Sequence, residues 1–316
     1  MGGGFNICIT SYGFAFLGGG RNNTVSGVYS NVIVGGRNNC VSGVHSNVIV
    51  SGDNNTNSGY HSTLVGGLNN TVSGYCAFIG GGASNIAGGS NSIIVGGTSN
   101  SASAALSTIV GGTLNTASAD YGFIGGGCCN SISAEYGYSS IVGGINNSNS
   151  GEYGIIGGGY CNTISAGHCG IIGAGENNSL SSYNSAIVAG WGNSVSSEYS
   201  FIGAGNFNTV SSYYNNNIVG GDRNKITGYN CNGFIGAGCK NLIDSVDNSS
   251  IVGGVLNTAS GACSFIGGGD RNQANGSRSS IIGGFSNQVT STGNFTSVVG
   301  GEQNTASAAL SFIGNG

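Results

Sequence analysis

One asparagine recurs along this chain at intervals of 15 to 17 residues, and this spacing constrains the fold more than any other feature. We take each of these asparagines as position 0 of a repeat. A period near 16 is too short for helical-hairpin repeats or propeller blades, but it fits one coil of a β-solenoid, with two short strands and two turns. The twenty asparagines are Asn6, Asn23, Asn39, Asn55, Asn70, Asn85, Asn100, Asn115, Asn130, Asn147, Asn162, Asn178, Asn193, Asn208, Asn224, Asn241, Asn257, Asn272, Asn287 and Asn304.

Other positions of the repeat are nearly as regular as the asparagine. Position −3 is Gly in every copy, position −6 is Ile or another aliphatic residue, and position +2 is usually Val, Ile, Leu or Ala. We expect −6 to be buried as a continuous core column along the stacked coils. We also expect Gly at −3 to adopt a positive φ at a corner or to let neighbouring turns approach closely. We expect the asparagine either to adopt the left-handed backbone conformation or to stack its amide on the asparagine of the next coil in a ladder.

The composition supports an ordered repeat without long helices. Gly accounts for 65 of the 316 residues, and each interior Gly costs a helix about 1 kcal/mol relative to Ala. Yet 38% of the residues are apolar and recur at fixed positions, which is not typical of a disordered linker. We therefore predict an all-β fold, a parallel β-solenoid of about twenty coils that forms one continuous domain over residues 1–316 without separate caps.

The strand before the glycines is apolar on both of its faces. Side chains alternate along a strand, so −6 points to one face while −7 and −5 point to the other. A large residue at −7 accompanies Gly at −5, and a small residue at −7 accompanies Val or Ile at −5. We predict lateral association of chains through the −7/−5 stripe, with a closed trimer as the favoured geometry. The alternative is a wider coil whose core holds both sets. The stripe includes Phe78, Val110, Phe123, Val142, Val188, Phe201, Val219, Phe234, Val252 and Phe265.

The repeat resembles a known group of surface proteins. The strings SGVYSNVIVGGRNN, STIVGGTLNTAS and SFIGGGDRN are similar to the head repeats of YadA-type trimeric autotransporter adhesins and to related repeats in phage and viral fibres. The resemblance extends over all twenty copies. It implies a left-handed β-roll, three chains side by side, and a role as a projecting fibre or adhesin head. It also implies an extracellular surface or virion location. No secretory signal is visible in the sequence, a departure from bacterial adhesins that makes a viral or extracellular fibre at least an equal expectation.

A column of aromatic and imidazole rings occupies position +6, on the variable turn. We expect these rings to stack on successive coils and stabilise the turn, with a surface that grips a glycan or a receptor as the functional alternative. Its members are Tyr29, His45, His61, Tyr121, Tyr136, Tyr153, His168, Tyr199 and Tyr214.

Residue types with catalytic chemistry are scarce and isolated. The carboxylates on the turns are unpaired, the three histidines belong to no triad pattern, and the ten cysteines include no CxxC. We predict no enzymatic activity, no cofactor, no metal site and no intrachain disulfides along the stack. With a net charge of −4 and seven scattered basic residues, we expect neither nucleic-acid nor membrane binding.

Two further expectations concern surfaces and ends. Thr or Ser is common at +1 and Ser at +3, which would form a two-column hydroxyl face and makes ice binding a second function class. The repeat is interrupted at both ends of the sequence, which predicts end-to-end stacking into a filament, or a segment of a longer protein. The threonines at +1 are Thr24, Thr56, Thr71, Thr116, Thr163, Thr209, Thr258 and Thr305.

Overall fold

The computed structural model describes residues 4–6, 8–134, 137–165 and 167–316. In these ranges the chain is an all-β parallel solenoid of about twenty coils, without a helix. It divides into two units, Met1–Gly159 and Tyr160–Gly316, which we describe separately. The predicted fold class and period are confirmed. Handedness, the number of chains and a single continuous domain stay predictions.

Each coil contributes one strand to each of two parallel sheets. The first strand includes positions −7 and −6 and builds sheet 1, while the second includes +1 and +2 and builds sheet 2. Equivalent residues of successive coils pair in register, as Thr63 does with Phe78 in sheet 1 and Thr71 with Ile86 in sheet 2. Every side chain of a column therefore lies directly beside its counterpart on the next coil.

The first unit contains the following short strands. Those of sheet 1 are Ala15–Leu17, Asn31–Ile33, Val48–Ile49, Thr63–Leu64, Phe78–Ile79, Ile93–Ile94, Thr108–Ile109, Phe123–Ile124, Ser140–Ile141 and Ile155–Ile156. Those of sheet 2 are Cys8–Ile9, Thr24–Val25, Cys40–Val41, Thr56–Asn57, Thr71–Val72, Ile86–Ala87, Ser101–Ala102, Thr116–Ala117, Ser131–Ile132 and Ser148–Asn149. A separate pair forms at the glycine corner: Gly4–Phe5 and Gly20–Arg21.

The second unit repeats this arrangement. Its sheet 1 strands are Ile171–Ile172, Ala186–Ile187, Phe201–Ile202, Asn217–Ile218, Phe234–Ile235, Ser250–Ile251, Phe265–Ile266, Ser280–Ile281, Ser297–Val298 and Phe312–Ile313. Its sheet 2 strands are Thr163–Ile164, Ser179–Leu180, Ser194–Val195, Thr209–Ser211, Lys225–Thr227, Leu242–Asp244, Thr258–Ala259, Gln273–Ala274, Gln288–Val289 and Thr305–Ala306.

Four columns of side chains point inward and fill the coils. The −6 column is buried as predicted, as at Ile109 and Ile124, and the +2 column faces it, as at Ala117. The other two inward columns are polar, one at position 0 and one at −8, where Ser62 and Ser92 are fully buried. The −8 column was not predicted from the sequence. It holds Gly, Ala, Ser, Thr and, on three coils, Asn: Asn31, Asn47 and Asn216.

The asparagine column bonds each coil to the next. The Oδ1 atom of Asn85 accepts the backbone N–H of Asn100 at 3.0 Å. Its Nδ2 atom donates to the carbonyl of Gly81 in its own coil at 3.0 Å and to that of Gly97 in the next coil at 2.9 Å. All the polar atoms of the buried amide are therefore satisfied, which removes most of the cost of burying them. The predicted ladder is confirmed, and the left-handed alternative is wrong for the asparagines from Asn23 onward.

The glycine at −3 has both properties expected of it. Its φ lies between 87° and 108° in every coil from Gly20 onward. A Cβ on Gly112 would lie 2.1 Å from the carbonyl oxygen of Gly127 and 2.6 Å from Nδ2 of Asn115. Only glycine can therefore hold this corner against both the next coil and the asparagine amide.

The first copy is shifted by one residue from the predicted register. Gly4 pairs with Gly20, Phe5 pairs with Arg21, and Cys8 pairs with Thr24. Asn6 thus aligns with Asn22 at position −1, and the two share a positive φ of 52° and 55°. The assignment of Asn6 to the asparagine column was wrong. In this copy position 0 falls on Ile7, which lies outside the described residues.

Candidate functional surfaces

The outward side chains of sheet 1 are mostly apolar and partly or largely exposed in both units, with Ser, Thr or Asn at −7 on some coils. At position −5, Val110, Val142 and Val188 expose 43%, 56% and 50% of their surface, and at −7 Phe123 and Phe234 each expose 37%. The structure therefore excludes the alternative in which a wider coil encloses both sets. The other members of the predicted stripe lie on the same outward face of their strands: Phe78, Phe201, Val219, Val252 and Phe265.

The exchange of bulk between −7 and −5 has an explanation inside the chain. The ring of Phe201 leans along its own strand, so that its Cε1 atom lies 3.3 Å from where a Cβ on Gly203 would be. That same Cβ would lie 2.4 Å from the carbonyl oxygen of Val219 on the next coil. Glycine at −5 therefore accommodates both the ring at −7 and the close approach of the next coil. The exchange therefore has an explanation within one chain, and packing of the exposed face against a partner stays a prediction.

The outward side chains of sheet 2 are mostly hydroxyl-bearing. In the first unit Thr71 and Thr116 lie half-buried at +1, and Ser73 and Ser118 lie exposed at +3. Other residue types break the +1 column in both units: Cys40 and Ile86 in the first, and Lys225, Leu242, Gln273 and Gln288 in the second. The two sheets thus present outer faces of opposite chemistry, apolar on sheet 1 and hydroxylated on sheet 2.

Rings stack at the turn between the second strand and the next first strand. Tyr29 and His45 stack with their centroids 4.5 Å apart, and Tyr60 lies 4.5 Å beyond His45. Tyr75 continues the run at 5.2 Å from Tyr60, while His61 packs edge-on against Tyr60. Four successive coils therefore share one ladder, as expected, but two of its members, Tyr60 and Tyr75, were not predicted.

A second run in the first unit consists of three tyrosines. Tyr138 stacks on Tyr121 at 4.4 Å and on Tyr153 at 5.4 Å, with interplanar angles of 8° and 2°. The charge and hydrogen bond of Tyr138 raise the pKa of Tyr121 above its ordinary value. Tyr136, which was predicted in this place, lies outside the described residues. The ring in this run is Tyr138.

The ladder is less regular in the second unit. His168 stacks on Tyr183 at 5.2 Å, whereas Tyr199 and Tyr214 are tilted at 6.5 Å. Where rings stack, they cover one another's faces, so edges and hydroxyl groups meet solvent. A sugar that stacks on an aromatic ring needs a free face, and the geometry therefore favours the turn-stabilising role over the glycan-gripping one.

The glycine corner carries most of the charged side chains at −2 and −1. The guanidinium of Arg37 bonds both carboxylate oxygens of Asp53 on the next coil, and this contact lowers the pKa of Asp53. The Sγ atoms of Cys128 and Cys129 lie 2.9 Å apart, and this hydrogen bond raises the pKa of Cys129. All ten cysteines are free thiols. Within the described residues no group of three or more His, Cys, Asp or Glu side chains could hold a metal ion.

One surface pocket of about 310 Å³ opens beside sheet 2 of the second unit. It is lined by Arg223 and Lys240 from the corner, by Lys225 and Leu242 from adjacent strands, and by Asn241 of the ladder. Sequence reasoning missed this site because Lys240 lies a whole coil further along the chain than Arg223 and Lys225.

Comparison with known proteins does not place the chain in a family. No family model and no curated protein matches it. The resemblance to YadA-type head repeats therefore stays a prediction. In the part of the chain that the structure describes, no helix is long and apolar enough to span a bilayer.

Proposed function

We propose that this chain is a structural element of a fibre or an adhesin head, and that it associates laterally with copies of itself through the outer face of sheet 1. The exposed apolar row on that face carries the proposal. Soluble monomers rarely expose contiguous apolar patches larger than a few hundred Å². A row that recurs on coil after coil is therefore expected to be covered in the working state.

The row is large enough to drive association. Its members at −5 are β-branched and expose between 37% and 56% of their surface. Complete burial of such a side chain contributes about 1.5–3 kcal/mol, so covering the exposed half contributes about 1 kcal/mol. Eleven of them give roughly 11 kcal/mol against an association cost of about 4–15 kcal/mol. The eleven are Val34, Val50, Val65, Val95, Val110, Val142, Val188, Val219, Val252, Ile282 and Val299.

This comparison favours contact along the length of each unit over contact at a few coils. A closed trimer would set the −7 side of one chain against the −5 side of the next and leave no apolar face open. The left-handed roll, the surface or virion location and a receptor or glycan partner belong to the same proposal. The hydroxyl face of sheet 2 would then face solvent. We assign the chain no catalytic role.

The test is the mass of the full chain in solution, measured by light scattering over a wide concentration range. We expect a trimer for the native chain. A triple variant with Val110→Asp, Val142→Asp and Val188→Asp should give monomers or aggregates, because it buries charge in the interface. A native chain that stays monomeric at every concentration would refute lateral assembly, and a dimer would refute the trimer. The matched control puts three charges on exposed +3 positions of sheet 2: Ser103→Asp, Ser133→Asp and Ser181→Asp.

A second candidate function is ice binding, which the hydroxyl rows of sheet 2 favour. Hydroxyls at Thr56 and Thr71 stand on paired residues of adjacent coils, at a strand spacing of about 4.8 Å. Thermal hysteresis at micromolar protein, lost in a Thr71→Leu variant, would support this role. Freezing behaviour equal to that of an inert protein would eliminate it.

A further inference from the structure

Both lysines of the chain and one of its five arginines line a single pocket. Arg223 and Lys240 occupy position −1 on adjacent coils, and Lys225 lies at +1 of the first of these coils. Only 6% of the residues in this protein are charged. Three of the seven basic residues on two neighbouring coils is therefore a marked concentration of positive charge.

The stacking of coils makes this cluster costly by itself. The backbone N–H of Lys240 bonds the carbonyl of Asp222 at 2.8 Å, which fixes the two coils side by side. Lys225 pairs in register with Leu242 on the same two coils. Arg223 and Lys240 occupy the same position on these two coils, and like charges in that arrangement repel each other. An anion in the pocket would remove that repulsion.

The nearby carboxylates that the structure describes form no ion pair with either lysine. Asp222 bonds Arg223 at 2.7 Å and also accepts the thiol of Cys239. Asp244 accepts hydrogen bonds from the hydroxyl of Thr227 at 3.1 Å and from that of Ser245. Within the described residues, neither Lys225 nor Lys240 forms an ion pair, and both are exposed. Two ammonium groups are thus left for a ligand.

The contrast with the first unit is informative. Arg21 and Arg37 are also neighbours on adjacent coils. There each arginine has a partner of its own, since Arg21 lies over the ring of Phe5 and Arg37 bonds Asp53. By contrast, the two lysines line one pocket, and in the described part of the chain neither of them has a carboxylate or an aromatic ring as a partner.

We propose that this pocket binds an acidic sugar unit, a monosaccharide residue that carries a carboxylate or a sulfate group. The two ammonium groups would form charge-assisted hydrogen bonds with the anion. Leu242 and the methylene stems of the lysines provide an apolar wall for the C–H face of the sugar ring. A volume of about 310 Å³ is at the lower end of ligand pockets and suits one sugar unit.

This inference names a class of sugar for the glycan partner of the proposed function, and it does not depend on lateral assembly. The pocket lies at the glycine corner and the edge of sheet 2, so covering the outer face of sheet 1 leaves it open. Failure of the chain to form trimers would not affect the binding test. Failure to bind would likewise leave the lateral assembly untouched.

The test is titration of the full chain at low ionic strength, followed by nuclear magnetic resonance or calorimetry. The probes are glucuronic acid and glucose 6-sulfate, with neutral glucose and inorganic sulfate as the comparison ligands. We expect both acidic sugars to bind at least tenfold more tightly than glucose or sulfate. Raising the salt concentration should weaken their binding, because the charges are exposed.

Variants then test which residues form the binding site. Lys225→Met and Lys240→Met should each weaken binding of the acidic sugars about tenfold, and Lys240→Arg should keep most of it. The matched control, Arg271→Gln with Arg278→Gln, removes two charges elsewhere and should leave the affinity unchanged. Equal affinity for glucose, equal affinity for sulfate, or unchanged binding in both lysine variants would overturn the proposal. Since both lysines are exposed, unfolding curves should show that each variant remains folded.

Discussion

Gly112→Ala tests the central geometric claim about the coil, that only glycine can hold position −3. Gly112 has a φ of 87°, which an L-residue adopts at a cost of about 1–3 kcal/mol. The added Cβ would lie 2.1 Å from the oxygen of Gly127 and 2.6 Å from Nδ2 of Asn115. Relief of these contacts requires the two coils to separate or the asparagine amide to move.

The magnitude follows from the bond that is broken. Nδ2 of Asn115 donates to the carbonyl of Gly127 at 3.1 Å, and that side chain is fully buried. Leaving a buried polar group unpaired costs about 1–3 kcal/mol. Backbone strain and the lost bond together give about 2–6 kcal/mol. A loss of that size is comparable with the whole stability of many domains.

The assay should read the affected coil directly, because a repeat array does not unfold as one two-state unit. Hydrogen exchange should show faster exchange at the amide of Thr113, which bonds Gly127 at 2.9 Å. The matched control is Gly111→Ala on the neighbouring residue, whose added Cβ would meet nothing within 4 Å. We expect Gly111→Ala to be neutral or to stabilise by about 0.4–1 kcal/mol. Equal effects of the two variants would refute the assignment of position −3.

Two other predictions test the ladders. Asn115→Asp replaces a side chain that donates to two carbonyls by a buried carboxylate. It should destabilise the coil by about 3 kcal/mol at pH 7, with partial recovery in acid, whereas the exposed control Asn91→Asp should not. Equal unfolding curves of the two variants at pH 7 would contradict the ladder. Tyr138 raises the pKa of Tyr121 in the folded chain. The interaction between these two tyrosines therefore stabilises the fold below the pKa of an unfolded tyrosine, about 10, and this stabilisation is lost as the pH rises through the folded pKa of Tyr121. Tyr138→Phe should lower the pKa of Tyr121 in a nuclear magnetic resonance titration, whereas Tyr153→Phe should not, and the same pKa in all three proteins would contradict the stacking.

The columns with one strict physical role could be predicted from spacing alone. Position 0 needs an amide that both donates and accepts, −3 needs a positive φ, and −6 needs an aliphatic side chain. The −8 column could not be found in this way. It accepts small residues such as Ser62, Ala77 and Ser92, and these residue types are equally common in turns.

The +6 offset found only part of the aromatic ladder, for a geometric reason. Coils differ in length in the turn where the rings lie, so counting forward from one asparagine loses the register. Counting back from the following asparagine places Tyr121, Tyr138 and Tyr153 together at −9, and all three have a positive φ. The sequence could not predict that the ring of Phe201 leans towards Gly203 either, because the alternation of side chains along a strand does not specify the direction of a ring.

At position −1 the backbone conformation stays the same from coil to coil while the side chain varies. Leu114, Cys129, Phe207 and Lys240 all occupy it with φ between 53° and 60°, a conformation that costs such residues about 1–2 kcal/mol each. The neighbouring glycine and asparagine hold the corner, so the residue at −1 is free to vary. The solenoid is thus a display scaffold, on which new recognition surfaces can evolve or be engineered along a fixed frame. Glycine or asparagine at these corners would, by the same reasoning, be the direct route to a more heat-resistant variant.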